Sequence, residues 1–535
     1  MGVGELGAVV EGRVRRAESV FSDAQDYDVL VVGAGVAGAS LATVLARDGR
    51  SVLLVERDLA EQSRIVGELL QPGGVRKLVE LGLEQSLESI DSQPVYGYGI
   101  FLEPKRMCIR YKEQASANNG GTDGWTQATR KDDVERSSGA EAPELPRSSE
   151  FEHPADAVGP TTTPRIAGRS FHNGRFVQRL RELAAAEQNV TLVQGNVVEL
   201  VEERVAGAGT RRVIGVKLMD DEKKEHVARA KLTIACDGCS SRLRKQVNPA
   251  AEYDVFSQFV GLVLKNVDMP FPKHGHVILG DRAPVLFYQI SSTEVRCLVD
   301  VPASARSSKD FRLRDYLMNV VLPQVPIEFQ APFERAVTED QLRSMPNRVM
   351  PANPTEVPGA LLLGDSFNMR HPLTGGGMTV ALSDVALLRR VLTNIVDLGD
   401  DVALRSALDV FYRTRREHSS TINILANALY SVFCASDDAS LTYMRDACFD
   451  YLSSGGRRST DPVSMLGGLN GSTTLLVMHF FAVAVYGCGR VLFPFPTPRR
   501  LATSWQLFRS AFNIVKPLID AEKATFLSWI PISRI

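Results

Sequence analysis

An excess of either charge is missing from this 535-residue chain: Lys and Arg total 61 against 63 Asp and Glu, a formal net charge of −2. Without a basic excess there is no electrostatic footprint for nucleic acid, and that partner class is excluded. Cysteine is sparse and odd in number, seven in all. This argues against a disulfide framework and for reduced thiols in a cytosol-facing protein. Cys236 and Cys239 form a CxxC with no second pair nearby to complete a metal or redox site. The eight histidines are dispersed, His274 and His276 excepted, so no metal centre is expected, and no Ser-His-Asp arrangement stands out. Residues 1–26 hold no apolar signal-peptide core; they carry Glu5, Glu11 and Arg13 to Arg16, and read as a mobile leader.

What is present begins at Tyr27-Asp28-Val29-Leu30-Val31-Val32, an apolar strand pattern, followed by Gly33-Ala34-Gly35-Val36-Ala37-Gly38. A helix is predicted next, with Ala39, Leu41, Ala42, Leu45 and Ala46 on its packing face. A second strand, Ser51 to Val55, ends at Glu56. In this strand–helix–strand–acid unit Gly33 allows the tight turn, Gly35 lets a pyrophosphate approach, and Gly38 lets the helix press on the sheet. Glu56, 23 residues after Gly33, is spaced to accept hydrogen bonds from ribose hydroxyls. No second strand–helix–strand–acid unit of this kind is expected to bind another dinucleotide in its own domain. Far downstream, Ala360 to Leu363 predicts a buried strand. Gly364-Asp365 then opens a loop ending in Gly375-Gly376-Gly377, with a helix beginning near Met378. Such a loop brings backbone N–H groups close to an anion, and Asp365 is placed to bind sugar or ribityl hydroxyls. Between the two units, Lys231 to Cys236 reads as a strand leading into Asp237-Gly238-Cys239-Ser240-Ser241-Arg242-Leu243-Arg244.

That last segment resembles the DGxxSxxR motif of FAD-dependent monooxygenases with a glutathione-reductase-type nucleotide fold. The Gly33 and Gly364-Asp365 regions match the other two segments of that group in the same order, so the implied cofactor is FAD. Longer strings narrow the likeness. Gly67 to Gly74, Gly168 to Phe176, Tyr288 to Ser292, Asn368 to Met378 and His479 to Tyr486 all resemble the squalene monooxygenase (squalene epoxidase) family, fungal-like in type. The resemblance implies FAD-dependent epoxidation of squalene to (S)-2,3-epoxysqualene in sterol biosynthesis. It implies oxygen from O₂ through a flavin C4a-hydroperoxide. NADPH is the implied indirect electron donor, acting through an NADPH–cytochrome P-450 reductase.

The same resemblance assigns residues. Gly33, Gly35, Val36, Ala37 and Gly38 are expected at the pyrophosphate, and Glu56 and Arg57 at the adenosine. Arg64 and Arg175 are expected near the phosphates and isoalloxazine, Asp237 in the cofactor-binding turn, Asp365 at the ribityl–phosphate region, and Met378 beside the flavin. Tyr98 matches the family tyrosine that hydrogen-bonds a glutamine, here Gln71. That pair orients pocket and flavin and is assigned no acid or base role. Leu69 stands where the family often has Phe. The competing readings are a soluble FAD aromatic hydroxylase, a flavin reductase acting on prenyl chains, and a non-catalytic prenyl-binding escort protein.

The expected fold class is α/β: a glutathione-reductase-type, Rossmann-like FAD-binding fold with an inserted β-sheet substrate domain and a C-terminal helical, membrane-associated tail. FAD-binding segments are placed at 27–112, 166–250 and 351–400. Residues 113–165, rich in Ser, Thr, Gly, Pro, Asp and Glu, read as a disordered insert unable to bury enough apolar area to offset its ordering entropy. Short β-rich runs make 251–350 the substrate sheet, and 401–470 is helical. Helices are predicted over 384–396 and 407–433, the latter with an apolar stripe through Ile422, Leu425, Leu429 and Phe433 that reads as packing. In the tail, 471–535, the uncharged run Thr473 to Gly489 has 17 residues. As a helix it would span about 26 Å, short of the roughly 30 Å hydrocarbon core. Residues 501–532 mix Trp505, Phe508, Phe512, Phe526 and Trp529 with charges, an interfacial composition. Two helices dipping into one leaflet, a tilted span and a buried pair are the alternatives. The first implies endoplasmic-reticulum lipids as partners and a catalytic domain facing the cytosol.

Overall fold

The computed structural model describes residues 14–15, 20, 26–112, 166–204, 211–281, 283–434 and 439–527. The expectations for the insert 113–165 and most of the leader lie outside the described residues, as does Trp529. The runs of β-branched and aliphatic residues at 29–32 and 52–55 are buried on both faces, as strands in the middle of a parallel sheet must be. That sheet runs Val190–Gln194, Val52–Glu56, Asp26–Val32, Glu225–Ala235, Arg211–Met219, Asn196–Arg204, with Ala360–Leu362 added beside Glu225–Ala235. On the edge away from Asp26–Val32, the long strand Glu225–Ala235 serves two partners. Its first half pairs antiparallel with Arg211–Met219, and its second half pairs parallel with Ala360–Leu362. The ends of Asp26–Val32, Glu225–Ala235 and Ala360–Leu362 therefore lie side by side, and all three expected motifs begin there.

A second seven-stranded sheet runs Arg343–Val349, Asp254–Lys265, Glu294–Pro302, Pro284–Gln289, Gly275–Leu279, Gly97–Leu102, Lys105–Arg110. Its last two strands come from residues expected in the first FAD-binding segment. Gly275–Leu279 recruits Gly97–Leu102 by parallel pairing across a long stretch of chain. One face, including Phe101, Val260, Phe287 and Val299, packs against Phe329 and Phe333 of the helix Ile327–Glu339. The other, with Tyr98, Ile100, Phe259 and Leu298, turns toward the C-terminal helices. A small third sheet joins Leu69–Leu70, Gly168–Ser170 and Gln93–Val95, so two of the strings that carry the family resemblance pair directly.

The helices beyond the flavin loop start earlier than the apolar periodicity predicts. Gly377–Thr393 begins where the glycine loop places a helix start, near Met378, and takes in most of 384–396, and Asp401–Phe433 begins where the Asp400 carboxylate accepts from Val402 and Ala403 N–H. Ala439–Ser453, Arg457–Leu466, Thr473–Leu492 and Pro498–Leu527 complete a helical layer. Thr473–Leu492 has 20 residues, not 17, and reaches about 30 Å at ~1.5 Å per residue. It is the single helix among the described residues long and apolar enough to cross a membrane. It packs on Ala439–Ser453 and Pro498–Leu527, yet Met478, Val485, Phe493, Phe495, Leu501, Trp505 and Phe512 remain exposed.

Candidate active site

The first strand ends in a glycine cradle whose three positions differ as their expected tasks require. Gly33 has φ +98°, a conformation costly for any other residue. A Cβ at Gly38 would stand 1.9 Å from Gly33 O, so the helix Val36–Arg47 and its turn touch only because no side chain intervenes. A Cβ at Gly35 would meet nothing within 4 Å, leaving the mouth of the cradle open. Val36 and Ala37 are half-buried beside it. Glu56 Oε2 accepts from Ala34 N at 2.7 Å, and Arg181 Nε donates to Ala34 O at 2.9 Å. Arg57 and Arg64 are exposed nearby, and burial lowers the pKa of Arg181 while Glu56 opposes the shift.

The other two motifs close around this cradle. Gly364, at φ +71°, lies so near the first helix that a Cβ there would stand 3.3 Å from the Ala37 methyl. Asp365 is exposed at the end of Ala360–Leu362. Arg244 ties the two loops together: its Nη2 donates to Gly238 O, Cys239 O and Asp365 O at 3.0–3.1 Å, and its Nε to Ser366 O at 2.8 Å. The sequence places Arg244 at the end of its motif without indicating a task; four carbonyl acceptors show that it braces the turn. Asp237 Oδ2 caps Arg242 N at 3.0 Å, whereas Asp237 Oδ1 is buried with no partner among the described residues. The same holds for Arg175 Nε, on the first turn of Asn173–Ala186. An open glycine mouth beside an unpartnered carboxylate oxygen fits a dinucleotide with hydroxyls and phosphates, and the Arg175 guanidinium nitrogen is a further unpartnered donor. The helix Gly377–Thr393 starts without a side-chain cap, so its first N–H groups are free for such a ligand, with Met378 buried at that end. Gly35→Asn, which keeps a favoured helix-capping residue, is expected to leave the melting temperature of the flavin-free protein near wild type. It should also strip the purified protein of flavin absorbance; a fully yellow variant would show that the cradle does not hold the cofactor.

Gln71 and Tyr98 do meet. Gln71 Nε2 donates to Tyr98 Oη at 2.5 Å and to Thr374 O at 2.6 Å, while Tyr111 Oη donates to Gln71 Oε1 at 2.6 Å. Tyr111 and the Thr374 carbonyl were missed; nothing local in the sequence marks either. Burial raises the pKa of Tyr98 and, more strongly, that of Tyr111, so both phenols are neutral near pH 7. Beside this cluster lies an apolar cavity. Tyr98, Ile100 and Val277 of the second sheet and Leu373 and Thr374 of the flavin loop form one wall. Leu425, Leu429 and Phe433, Met444 and Cys448, Met465, and Leu476, Phe480 and Val483 form the rest. The stripe read as packing thus lines a cavity, and the apolar tail helix supplies part of its wall. Its polar members close on one another: Tyr451 Oη lies 2.9 Å from His479 Nδ1.

Comparison with known proteins agrees with this geometry. Residues 229–503 match the family model "Squalene epoxidase", and residues 28–277 match "FAD dependent oxidoreductase". A squalene monooxygenase of Panax ginseng is 48% identical over 92% of this chain and 82% of its own length. The squalene monooxygenase of Rattus norvegicus is 38% identical over 94% and 78%. Among solved structures, a probable FAD-dependent monooxygenase from Pseudomonas aeruginosa superposes with a TM-score of 0.56 at 19% identity, covering 77% of this chain and 97% of its own. A geranylgeranyl bacteriochlorophyll reductase-like protein from Thermoplasma acidophilum gives 0.59 at 16%, covering 86% and 99%. The solved structures establish the flavoprotein fold, and FAD is the cofactor. The sequence relatives go further, and on their identity and coverage the chain belongs to the squalene epoxidase family.

Proposed function

We propose that this chain is a flavoprotein monooxygenase that converts squalene to (S)-2,3-epoxysqualene. One oxygen atom of O₂ enters a terminal trisubstituted alkene and the other leaves as water, with two electrons originating in NADPH. The observation that carries the reading is the apolar cavity bounded by the flavin loop at Leu373 and Thr374 and by Tyr98, which Gln71 holds. A cleft walled by leucine, valine, methionine and phenylalanine side chains, with almost no polar lining, suits a hydrocarbon and offers nothing to a charged substrate.

FAD, when bound, supplies the activation of O₂ and the electrophilic oxygen. The glycine cradle, Asp237, Arg175 and Asp365 hold it, with Glu56 and Arg57 at the adenosine, Arg64 near the phosphates and Met378 beside the ring. Gln71 fixes the loop through Thr374 O and offers its second amide proton to Tyr98. The pair orients; with raised phenol pKa values it is not a base. Leucine, valine and phenylalanine side chains exclude water from the reacting end. Among the described residues there is one dinucleotide cradle, which supports electron delivery by a reductase partner, NADPH–cytochrome P-450 reductase. The exposed apolar side chains around Thr473–Leu492 support association with endoplasmic-reticulum lipids, from which a dissolved hydrocarbon can reach the cavity.

The experiment is turnover of detergent-solubilised protein with squalene, FAD, NADPH and O₂, with and without the reductase, wild type against Leu429→Trp. Epoxide should form only with reductase. The tryptophan, filling the cavity, should cut turnover at least tenfold while flavin content stays unchanged. A yellow wild-type protein that yields no epoxide sinks the substrate assignment and leaves the flavoprotein intact.

A further inference from the structure

A buried polar network behind the flavin loop reaches a residue of the C-terminal helix. Asn368, three residues past Asp365, is its centre. Its Oδ1 accepts from Arg370 Nη2 at 2.8 Å, Arg415 Nη2 at 3.0 Å and Asn423 Nδ2 at 3.1 Å. Its own amide donates to Met350 O at 2.8 Å, so the side chain is held on both sides. Arg415 is neutralised by Asp384, Nε to Oδ2 at 2.9 Å, with His418 on the other carboxylate oxygen at 2.9 Å. Arg370 forms no ion pair among the described residues, although its guanidinium is buried inside the loop that ends at the glycines. It donates to Asn368 O at 2.8 Å and to Gly377 O at 3.4 Å, at the start of the helix expected beside the flavin.

Glu522 completes this network from Pro498–Leu527. Its Oε1 accepts from Asn423 Nδ2 at 3.0 Å, its Oε2 from Ser420 Oγ at 2.6 Å, and its carbonyl oxygen from Arg416 at 2.5 Å. Both carboxylate oxygens are thus occupied by neutral donors, and no cation is in contact with them among the described residues. The Asn423 amide is shared: one carboxamide nitrogen donates to Glu522 of the tail and to Asn368 of the flavin loop. Burial disfavours the Arg370 cation; Asp365 opposes that, Arg415 adds to it, and Asp384 and then Glu522 oppose it, so the carboxylate of the tail adds the last increment of counter-charge to a guanidinium reached through Asn423 and Asn368. A packing contact between two helices needs no carboxylate; a distant counter-charge for a buried arginine in the cofactor loop does.

We propose that Glu522 is a positioning residue through which the C-terminal helix holds the flavin loop, so that FAD retention depends on docking of the tail. The inference rests on the FAD assignment above and goes beyond it by making cofactor affinity a property of a helix remote from the cradle. Glu522→Gln removes the charge and leaves one acceptor, Glu522→Asp keeps the charge on a shorter arm, and Ser420→Ala removes a donor but no charge. The measurement is FAD affinity of the full-length protein by recovery of flavin fluorescence on dilution, with the flavin absorption spectrum and the melting temperature of flavin-free protein alongside. Glu522→Gln should weaken FAD binding about tenfold, equivalent to ~1.4 kcal/mol, and shift the flavin band. Ser420→Ala should weaken it far less, and Glu522→Asp should fall between wild type and Gln. A yellow wild type with measurable affinity secures the underlying assignment independently. FAD affinity and spectrum unchanged in Glu522→Gln overturn the proposal, whether or not the melting temperature falls, because a merely structural contact moves only the latter.

Discussion

Glu68→Ala is expected to destabilise the protein by about 3–5 kcal/mol, the cost of leaving one partner of a buried ion pair alone. Glu68 is 1% exposed and receives both arms of Arg296, Nε to Oε2 at 2.7 Å and Nη2 to Oε1 at 2.8 Å. Burial disfavours the Arg296 cation, but Glu68 outweighs it and the net shift in its pKa is upward. The pair joins the turn before Leu69–Leu70 to the strand Glu294–Pro302, across the boundary between the small sheet and the substrate sheet. Tyr288 Oη stands 3.5 Å from Glu68 Oε2, so little else is present to take over the role. Removing the carboxylate strands a guanidinium whose remaining contact is Leu262 O at 3.4 Å. The double variant Glu68→Leu/Arg296→Met should recover most of the loss, since matched apolar groups need no solvation. Denaturant midpoints of the single and double variants check this. A single variant as stable as wild type would mean that water reaches the site.

The parts that sequence reading reached share a cause: each is a backbone constraint written in a few neighbouring residues. The roles given to Gly33, Gly35 and Gly38 reappear as a positive φ, an open Cβ position and a 1.9 Å approach. The misreadings also have physical causes. Periodicity through Leu425, Leu429 and Phe433 says that a helix face is covered, and those residues do pack in the core; it does not say that the same face also lines a cavity. Arg490 ended the apolar run in the sequence, but in the structure it pairs with Asp450, so the helix continues to Leu492. Gly97–Leu102 joined the wrong segment because its partner Gly275–Leu279 is far along the chain, and no local pattern encodes such pairing. Tyr111 reaches Gln71 for the same reason: Tyr111 N donates to Tyr96 O and extends the hairpin that carries Tyr98.

Acidification from pH 7 to pH 5 is expected to cost about 2–3 kcal/mol of stability from three buried groups alone, by proton linkage. His276 lies among Phe101, Phe271 and Phe329, accepts from Phe271 N at 3.1 Å, and directs Nδ1 to His274 O at 3.0 Å. Burial pulls its pKa from 6.5 to about 3, with His274 the nearby titratable group. His371 stacks on Tyr430 at 3.8 Å and is likewise lowered from 6.5 to about 3 by burial. Leu373 N donates to His371 Nδ1 at 3.3 Å, so its proton sits on Nε2, toward Ser257 Oγ at 3.2 Å. Ser257 and Asn347 donate in turn to Asp300 Oδ1 at 2.5 and 2.9 Å. Burial raises Asp300 from 3.8 to about 6 against these bonds and those of Tyr430 and Cys434. The signs oppose. Each histidine, lowered in the fold, gives stability that is complete above pH 6.5 and is lost as pH falls toward 3. Asp300, raised in the fold, gives stability that is complete below pH 3.8 and is lost as pH rises through 6. Between 7 and 5 each histidine loses about 2 kcal/mol and Asp300 returns about 1, so the histidines win. Unfolding midpoints measured across this range should therefore rise with pH, and His276→Gln, able to keep both of its hydrogen bonds, should flatten the slope by about one proton. A stability that stays level down to pH 5, or a Gln variant with the full wild-type slope, would place these histidines in contact with water.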